Sequence, residues 1–553
     1  MISHHKSHKR KSIDSSLNDN FFKKHKPSNR HPLGIKPWGN YYLDKINNNN
    51  DDDINNNINS SRESGLGIIS CLTDELILEI LEILGLLSTK YLLSIAFTSK
   101  IFYCFSTFDE LWKKIFIIEK CYNNGGNGNW KWKGNWRLTY LKNNNNHIIN
   151  DDKNDNNIII SEDINNDNDN IISDDDNNNN NIVINIVNNF YSDILYQPIL
   201  YQSIRMDNQF ISKENIDKCS NLSLDEFNNK YAKPNLPVII TDLVTKWPAY
   251  NKWSMKSLEK KYGNIKFRAE AINIKLKEYL KYLQKNLDEN PLYLFDKKFG
   301  EKCQGILDDF WVPNYFAEDF FNVLDNRPDY RWIIIGPSRS GSTFHKDPNS
   351  TSAWNAVIEG SKKWIMFPPD ICPPGVFTSP DEAEVTAPFS LMEWYLNYYK
   401  ETQKLKIKPL EGICRAGEII FVPNGWWHMV INLEDSIAIT QNFVGSHNLL
   451  NVLQFLRDKP NQISGFSSES WPNREEIYNS FLEKFQQNYP EVLKELGDKL
   501  DDKLDDKLDD KLVENKLNNN NNNKPLIWDK VKCDENETQN SFKFGFFVNE
   551  EEQ

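Results

Sequence analysis

Cysteine is scarce here. The 553 residues hold eight, and no two of them form C-x-x-C. That excludes a disulfide framework and a structural zinc site of the usual spacing, and it fits a reducing compartment. No run of about 18 apolar residues exists, so no transmembrane helix is expected. The N-terminus lacks the apolar core of a signal peptide. A soluble, intracellular protein is the expectation. Positive charge is also in deficit, with 65 basic against 78 acidic residues and a formal charge of −13. This argues against wholesale nucleic-acid binding. Histidine is sparse and badly spread. Of nine, five lie in the first 31 residues and His147 sits in an Asn-rich stretch. Only His345, His428 and His447 remain for a globular domain.

Much of the length is not core-forming. Asn-rich runs fill residues 46–60, about 143–188 and 518–523. They bury too little apolar surface to offset the entropy of ordering them, so disorder is expected there. Residues 1–65 read as a disordered basic region, with "HHKSHKRKS" and "FFKKHK" between 4 and 26. Such a tract serves nuclear import, contacts phosphate, or is simply a solvated tail. Within "HPLGIKPWGNYYL" (31–43), Pro and Gly forbid a regular helix, and Trp38, Tyr41 and Tyr42 are candidates to dock on a neighbouring domain. Residues 461–553 read as a helical and charged tail. Its DDKL repeat at 498–512 drifts about 40° per helical turn and gives no stable stripe.

Residues 69–118 change character. Thr73 is an expected N-cap, and Asp74 and Glu75 suit the positive end of a helix dipole. Leu76, Ile80 and Leu84 fall on one helical face, as do Leu92, Leu93, Ala96 and Phe97. Gly85 is expected to end the first helix. The reading is a bundle of three short helices. Its opening "LTDEL", the two amphipathic helices, and the later "TSKIFY" and "LWKK" resemble an F-box, with Thr73 where that family usually has proline. The resemblance implies a Skp1-type adaptor of a ubiquitin ligase as partner; an ordinary small helical domain is the alternative.

Residues 189–460 read as the main globular domain. Short apolar runs at 236–244, 330–337, 362–369, 417–425, 427–433 and 436–444 are separated by Gly, Pro and Asn turns, with helical patterns at 223–231 and 448–458. Many short strands at this spacing predict a mainly β domain, a sandwich or jelly roll.

His345 and Asp347 are two apart, so on an extended strand they project to one side. His428 follows on a separate predicted strand. Two imidazoles and a carboxylate form the 2-His-1-carboxylate set that binds iron and leaves positions open for ligands. A lone H-x-D is weak, and a strand histidine is more often a satisfied core residue. The surrounding sequence decides. "FHKDPNSTSAWNAVIEGSKKWIMFPP" and "GWWHMVINLEDSIAITQNFV" closely resemble the Jumonji-C family, and within it the phosphatidylserine-receptor-like branch of lysyl hydroxylases and proposed arginine demethylases. The similarity runs from about 205 to 460, taking in "NLPVIITDLVTKWPA" and "YLFDKKFGE".

That resemblance implies a double-stranded β-helix of the cupin type and a dioxygenase that uses Fe(II), 2-oxoglutarate and O2. It makes His345, Asp347 and His428 the iron ligands. Lys362 pairs with the far carboxylate of 2-oxoglutarate, and Asn355 and Thr440 hydrogen-bond it. Ser342 stands where a threonine is usual, and Tyr293 lines the pocket. A dicarboxylate needs a cation at its far end, which a lysine supplies as a point charge. Strand alternation sends one of Lys362 and Lys363 inward; Lys363 is expected at the surface. Trp354, Trp426 and Trp427 wall the site or pack in the core. The branch further implies a protein substrate modified on lysine or arginine, histone or RNA-associated proteins among the candidates, a nuclear location, and a homodimer through 448–458. Two other readings compete: an F-box adaptor whose β domain only recognises a target, and a cupin isomerase with another metal. Loss of a triad member would favour the first; the Lys362–Asn355–Thr440 set argues against the second.

Overall fold

Eight strands carry the architecture, formed where β-branched and aromatic residues run between Gly, Pro and Asn turns. In the computed structural model, which describes residues 41–42, 65–119, 130–148 and 190–494, they are β1 (Arg331–Gly336), β2 (Gly341–His345), β3 (Ser352–Glu359), β4 (Ser361–Phe367), β5 (Leu410–Arg415), β6 (Ile419–Val422), β7 (Trp427–Asn432) and β8 (Ser436–Phe443). One sheet is ordered β5-β4-β7-β2. The other runs β6-β3-β8-β1, extended by Asp217–Cys219 and Val238–Ile240 beyond β6, and by Leu294–Asp296, Lys266–Ala269 and Ile272–Lys275 beyond β1. Antiparallel pairing of β1 with β8, β3 with β6 and β8, β2 with β7, and β4 with β5 and β7 is jelly-roll connectivity, the cupin-like core expected. Ala353, Val357, Trp364, Met366, Ile420 and Val430 pack between the sheets.

The smaller sheet is covered on its other side as well. Helix α1 (Leu391–Thr402) brings Trp394, Tyr395 and Tyr399 onto Phe344, Ile365, Phe367, Trp427, Met429 and Ile431, with Phe210 completing the layer. This corrects the expectation for Lys363. Alternation does send it away from Lys362, but that face is packed, not solvated. Its side chain is fully buried, and its ammonium lies 3.1 Å from Glu411, itself held by Lys213 at 2.5 Å. The segment at 448–458 is helix α2 (Leu449–Asp458). Its Leu449, Val452, Leu453 and Leu456 pack within this chain, in one cluster with Ile477, Phe481 and Phe485 of helix α3 (Glu475–Asn488).

The described residues within 1–108 and 156–200 form one compact unit, and those within 109–155 and 201–553 form another. In the first unit, three short helices follow one another: Asp74–Leu87, Thr89–Ala96 and Lys100–Ser106. Thr73 caps the first, its hydroxyl accepting from the Leu76 amide. Gly85 does not end that helix, which runs on to Leu87 with Gly85 buried in its packed side. The face expected to be the core is also displaced: Ile77 and Leu81 are buried, while Leu76, Ile80, Ile83 and Leu87 are exposed. A helix apolar on every side does not reveal from sequence which side packs. Tyr41–Tyr42 pairs antiparallel with Phe190–Tyr191. The segment Asp109–Ile117, inside the expected F-box span, falls in the second unit with the helix Trp136–Ile148. That helix takes in the start of the 143–188 run. The rest of that run, the basic tract at 4–26, the Asn-rich stretches at 46–60 and 518–523, and the repeat at 498–512 lie outside the described residues.

Lys363→Ala is expected to lower the chemical-denaturation midpoint by the equivalent of about 3 kcal/mol, because it leaves Glu411 short of a buried partner. A surface lysine would shift it by under about 0.5 kcal/mol. Circular dichroism in urea reads the difference.

Candidate metal centre and cosubstrate pocket

The two strand histidines meet because β2 and β7 are neighbours. His345 and His428 are directly opposed across that pair, with ring centroids 4.2 Å apart. Ser342 opposes Val430, so the register slips by one residue between the two contacts. Residues three apart on a regular strand face opposite ways; the extra residue lets Ser342 and His345 both face inward. Asp347 follows β2 in extended conformation, just before the turn Pro348–Ser350. Ligand atoms of His345, Asp347 and His428 all lie within 4.8 Å of one another.

The protonation pattern suits a metal. His345 Nδ1 lies 2.7 Å from the Thr343 carbonyl, and His428 Nδ1 lies 3.0 Å from that of Trp426. A carbonyl only accepts, so each Nδ1 carries the proton and each Nε2 presents its lone pair. Burial pushes His345 down to about 3, helped by His428, and pushes His428 down to about 4. Both rings are therefore neutral at pH 7. The 4.0 Å approach of His428 Nε2 to Asp347 is then a carboxylate facing a neutral ring and not an ion pair. Burial raises Asp347 to about 6, opposed by His345. Its Oδ2 is buried without a hydrogen-bond partner. Such an atom costs about 1–3 kcal/mol, more when charged. A divalent cation between two neutral imidazoles and this carboxylate removes that cost, so the donor set fits iron.

The loop after Asp347 is clamped. Asn349 adopts a left-handed backbone (φ 54°), and its buried amide exchanges hydrogen bonds with Ser464, donating to the carbonyl at 2.9 Å and accepting from the amide at 3.1 Å. Asn442 and Asn448 donate to Thr351 and to the Ser350 carbonyl. Sequence reading passed over Asn349; its place two residues after the carboxylate, in a run ending Asn-Ser, was the available signal.

Lys362 opposes Asn432 across β4 and β7, and Met366 opposes His428, so Lys362, Asn432 and His428 share the inward face. The Lys362 ammonium is fully buried and donates to Tyr293 Oη and Asn432 Oδ1, both at 2.7 Å. These partners are neutral oxygens, and burial pushes the ammonium down to about 7. Asn432 was also missed, although it stands four residues after His428 on the same strand face. On the facing sheet, Asn355 and Thr440 are cross-strand partners. Asn355 lies between Ala353 and Val357 on the side that packs between the sheets; its Oδ1 is buried without a partner, and the Thr440 hydroxyl donates to the Trp354 carbonyl at 2.9 Å. A buried cation with no charged partner fits one carboxylate of a small dicarboxylate; the unsatisfied Asn355 Oδ1 is an acceptor and needs a donor from elsewhere. Tyr293 packs with Ile334 and Ala438 beside it.

The tryptophans divide. Trp354 packs on Trp247 and Phe316, on the side of its sheet away from the site. Trp426 is part of the inter-sheet core and donates to the Asn235 carbonyl. Trp427 lines a cleft of about 200 Å³ that also exposes Asp347. His447, the remaining histidine of the domain, bonds Ser352 at 3.0 Å and takes no part in the cluster.

Residues 224–448 match the family model described as "Cupin-like domain". The chain is 41% identical over 471 residues to the arginine-specific demethylase JMJ22 of Arabidopsis thaliana, covering 85% of this chain and 84% of that one. It is 34% identical over 289 residues to the bifunctional arginine demethylase and lysyl-hydroxylase psr-1 of Caenorhabditis elegans, covering 50% and 68%. It is 28% identical over 275 residues to the human 2-oxoglutarate and iron-dependent oxygenase JMJD4, covering 43% and 63%. By fold, by this donor set and by these relatives, the chain belongs to the Jumonji-C family of cupin-like proteins.

Proposed function

We propose that this protein oxidises lysine or arginine side chains of other proteins, as a hydroxylase or an N-demethylase. It is an iron- and 2-oxoglutarate-dependent oxygenase, using Fe(II), 2-oxoglutarate and O2; the human relative JMJD4 is named for its iron and 2-oxoglutarate dependence. The observation that carries the reading is the meeting of His345, Asp347 and His428 on facing strands. These three hold the iron. Lys362, steadied by Tyr293 and Asn432, receives the far carboxylate of 2-oxoglutarate, with Asn355, Thr440 and Ser342 around it. Iron and 2-oxoglutarate, when bound with O2, would supply oxidative decarboxylation: one oxygen atom of O2 goes into succinate, with release of carbon dioxide, and the other into a C–H bond of the substrate. The protein's share is to orient both partners and keep water out. Hydroxylation and demethylation differ in which C–H bond the cleft presents: oxygen inserted at a side-chain carbon stays there, whereas an N-methyl oxidised to N-hydroxymethyl loses its carbon as formaldehyde and leaves N–H.

We further propose that the first unit docks a Skp1-type adaptor. Leu76, Ile80, Ile83 and Leu87 recur at helical spacing on the helix Asp74–Leu87 and are exposed, Leu87 at 72%. A continuous apolar stripe of this kind marks an interaction face. The adaptor-only reading has no observation in its favour, since the triad is intact.

In an assay of carbon dioxide release from labelled 2-oxoglutarate with Fe(II), His345→Ala is expected to lose more than about a hundredfold, because losing even an outer partner of a metal ligand costs about 10–100-fold. Equal release from wild type and variant rules out the oxygenase. The pH dependence of 2-oxoglutarate binding tests Lys362. Below about pH 7 its ammonium is already charged when the dicarboxylate arrives; above it, binding must draw a proton from solvent. Affinity should therefore fall as pH rises from 7 towards 9, by up to about tenfold per unit. Lys362→Met should bind weakly and without that slope. Finally, co-purification with a Skp1-type protein should be abolished by Leu76→Asp with Ile80→Asp; absence of any association with wild type removes the adaptor proposal.

A further inference from the structure

The cleft that exposes Asp347 is lined by Lys346, Glu382, Trp427, Phe455, Lys459 and Gln462 among others. At about 200 Å³ it lies below the roughly 300–1,000 Å³ of drug-sized ligand pockets, so it suits one side chain. Inside it, a cation is already held. The Lys346 ammonium lies 2.9 and 2.8 Å from the two carboxylate oxygens of Glu382, and 4.9 Å from the centre of the Trp427 ring. A carboxylate on one side and an indole face on the other is the chemistry that recognises ammonium and guanidinium groups.

Glu382 is held in place by its turn. Its backbone is left-handed (φ 59°), which favours Gly or Asn and costs a glutamate energy. The surrounding turn overdetermines that conformation. The Glu382 amide donates to the Ser379 carbonyl, the Ser379 amide donates to the Glu384 carbonyl, and the Ser379 hydroxyl donates to Asp381 at 2.6 Å. From across the cleft, Lys459 donates to the Asp381 carbonyl at 2.7 Å, and Gln462 bonds the same residue. The Lys459 ammonium is thereby tied to the turn, with its charge kept, and Glu382 and the metal-ligand Asp347 are the carboxylates among the residues lining the cleft.

We infer that Glu382 and Trp427 form the recognition site for the cationic head of a substrate lysine or arginine, and that Lys346 fills it as an internal stand-in until substrate displaces it. This rests on the proposed action on protein side chains. Lys346 stands between His345 and Asp347, so alternation turns its side chain away from the metal centre and towards the cleft mouth.

The test is equilibrium binding to the full chain loaded with Fe(II) and 2-oxoglutarate under argon. The probes are a capped pentapeptide with one central lysine and its arginine and norleucine counterparts. The cationic peptides should bind wild type about fivefold or more tighter than norleucine, as expected from one half-buried ion pair plus one cation–π contact. Glu382→Gln should erase that preference. Lys346→Met, with iron content checked because of its neighbours, should strengthen it. Equal binding of all three peptides, no measurable binding, or a preference that survives Glu382→Gln overturns the inference. Carbon dioxide release without peptide is read in parallel. If it is absent in wild type, the oxygenase reading fails by itself; if it is present while the peptide preference is absent, only this inference fails.

Discussion

Everything at the metal centre depends on the register between β2 and β7. It places His345 opposite His428, and the packing of the two sides of the smaller sheet holds it there. Phe344, Trp427, Met429 and Ile431 point into the apolar layer under Leu391–Thr402, while His345, His428, Val430 and Asn432 point between the sheets. A slip of one residue would exchange these sets, burying imidazole and amide groups in an apolar layer and emptying it of aromatics. The apolar layer thus fixes the geometry of a polar site on the other side of the sheet. The irregular step between Ser342 and His345 then brings both residues to the same side.

Two adjacent lysines show how burial separates structure from function. Lys363 and Lys362 are both fully enclosed. Lys363 meets Glu411, a carboxylate it shares with Lys213, so its charge has a partner within the fold. Lys362 meets a phenol and an amide. Burying an ammonium on neutral partners alone is unfavourable, which is why its proton is held so loosely. A fold that needed only stability would put a carboxylate or an apolar residue there. The missing negative charge is what a dicarboxylate brings, and the unsatisfied Asp347 oxygen in the same interior is the matching deficit for a cation.

The strands and the meeting of His345, Asp347 and His428 were legible in the sequence because each rests on local information: short apolar runs between turn residues, an H-x-D on extended chain, and few histidines to choose from. What was not legible depends on segments far apart in the chain. Lys363 looked exposed because alternation fixes the two directions but does not say whether Leu391–Thr402 and Phe210 cover the second one. The first helix misled for the same reason: with leucine or isoleucine on every side, the partner helices decide which face is buried. Asn432 was within reach, since the alternation that turns His428 inward turns inward every second residue after it. Asn349 was harder, since its role lies in a left-handed turn bonded to Ser464, more than a hundred residues away.

The residue inside the H-x-D motif connects the oxidant to its target. Two ligands two apart on extended chain must both face the metal, so the residue between them must face away. Here that residue is a lysine whose head rests on Glu382 and Trp427 in the cleft beside Asp347. An apolar residue in its place would leave the carboxylate and the indole open to solvent; an acidic one would repel Glu382. A lysine keeps the pair assembled in the shape a cation requires, and a cation arriving from outside can replace its half-buried ion pair like for like. On the proposed function, the triad sets how a C–H bond is oxidised, and the group that displaces Lys346 sets whose bond it is.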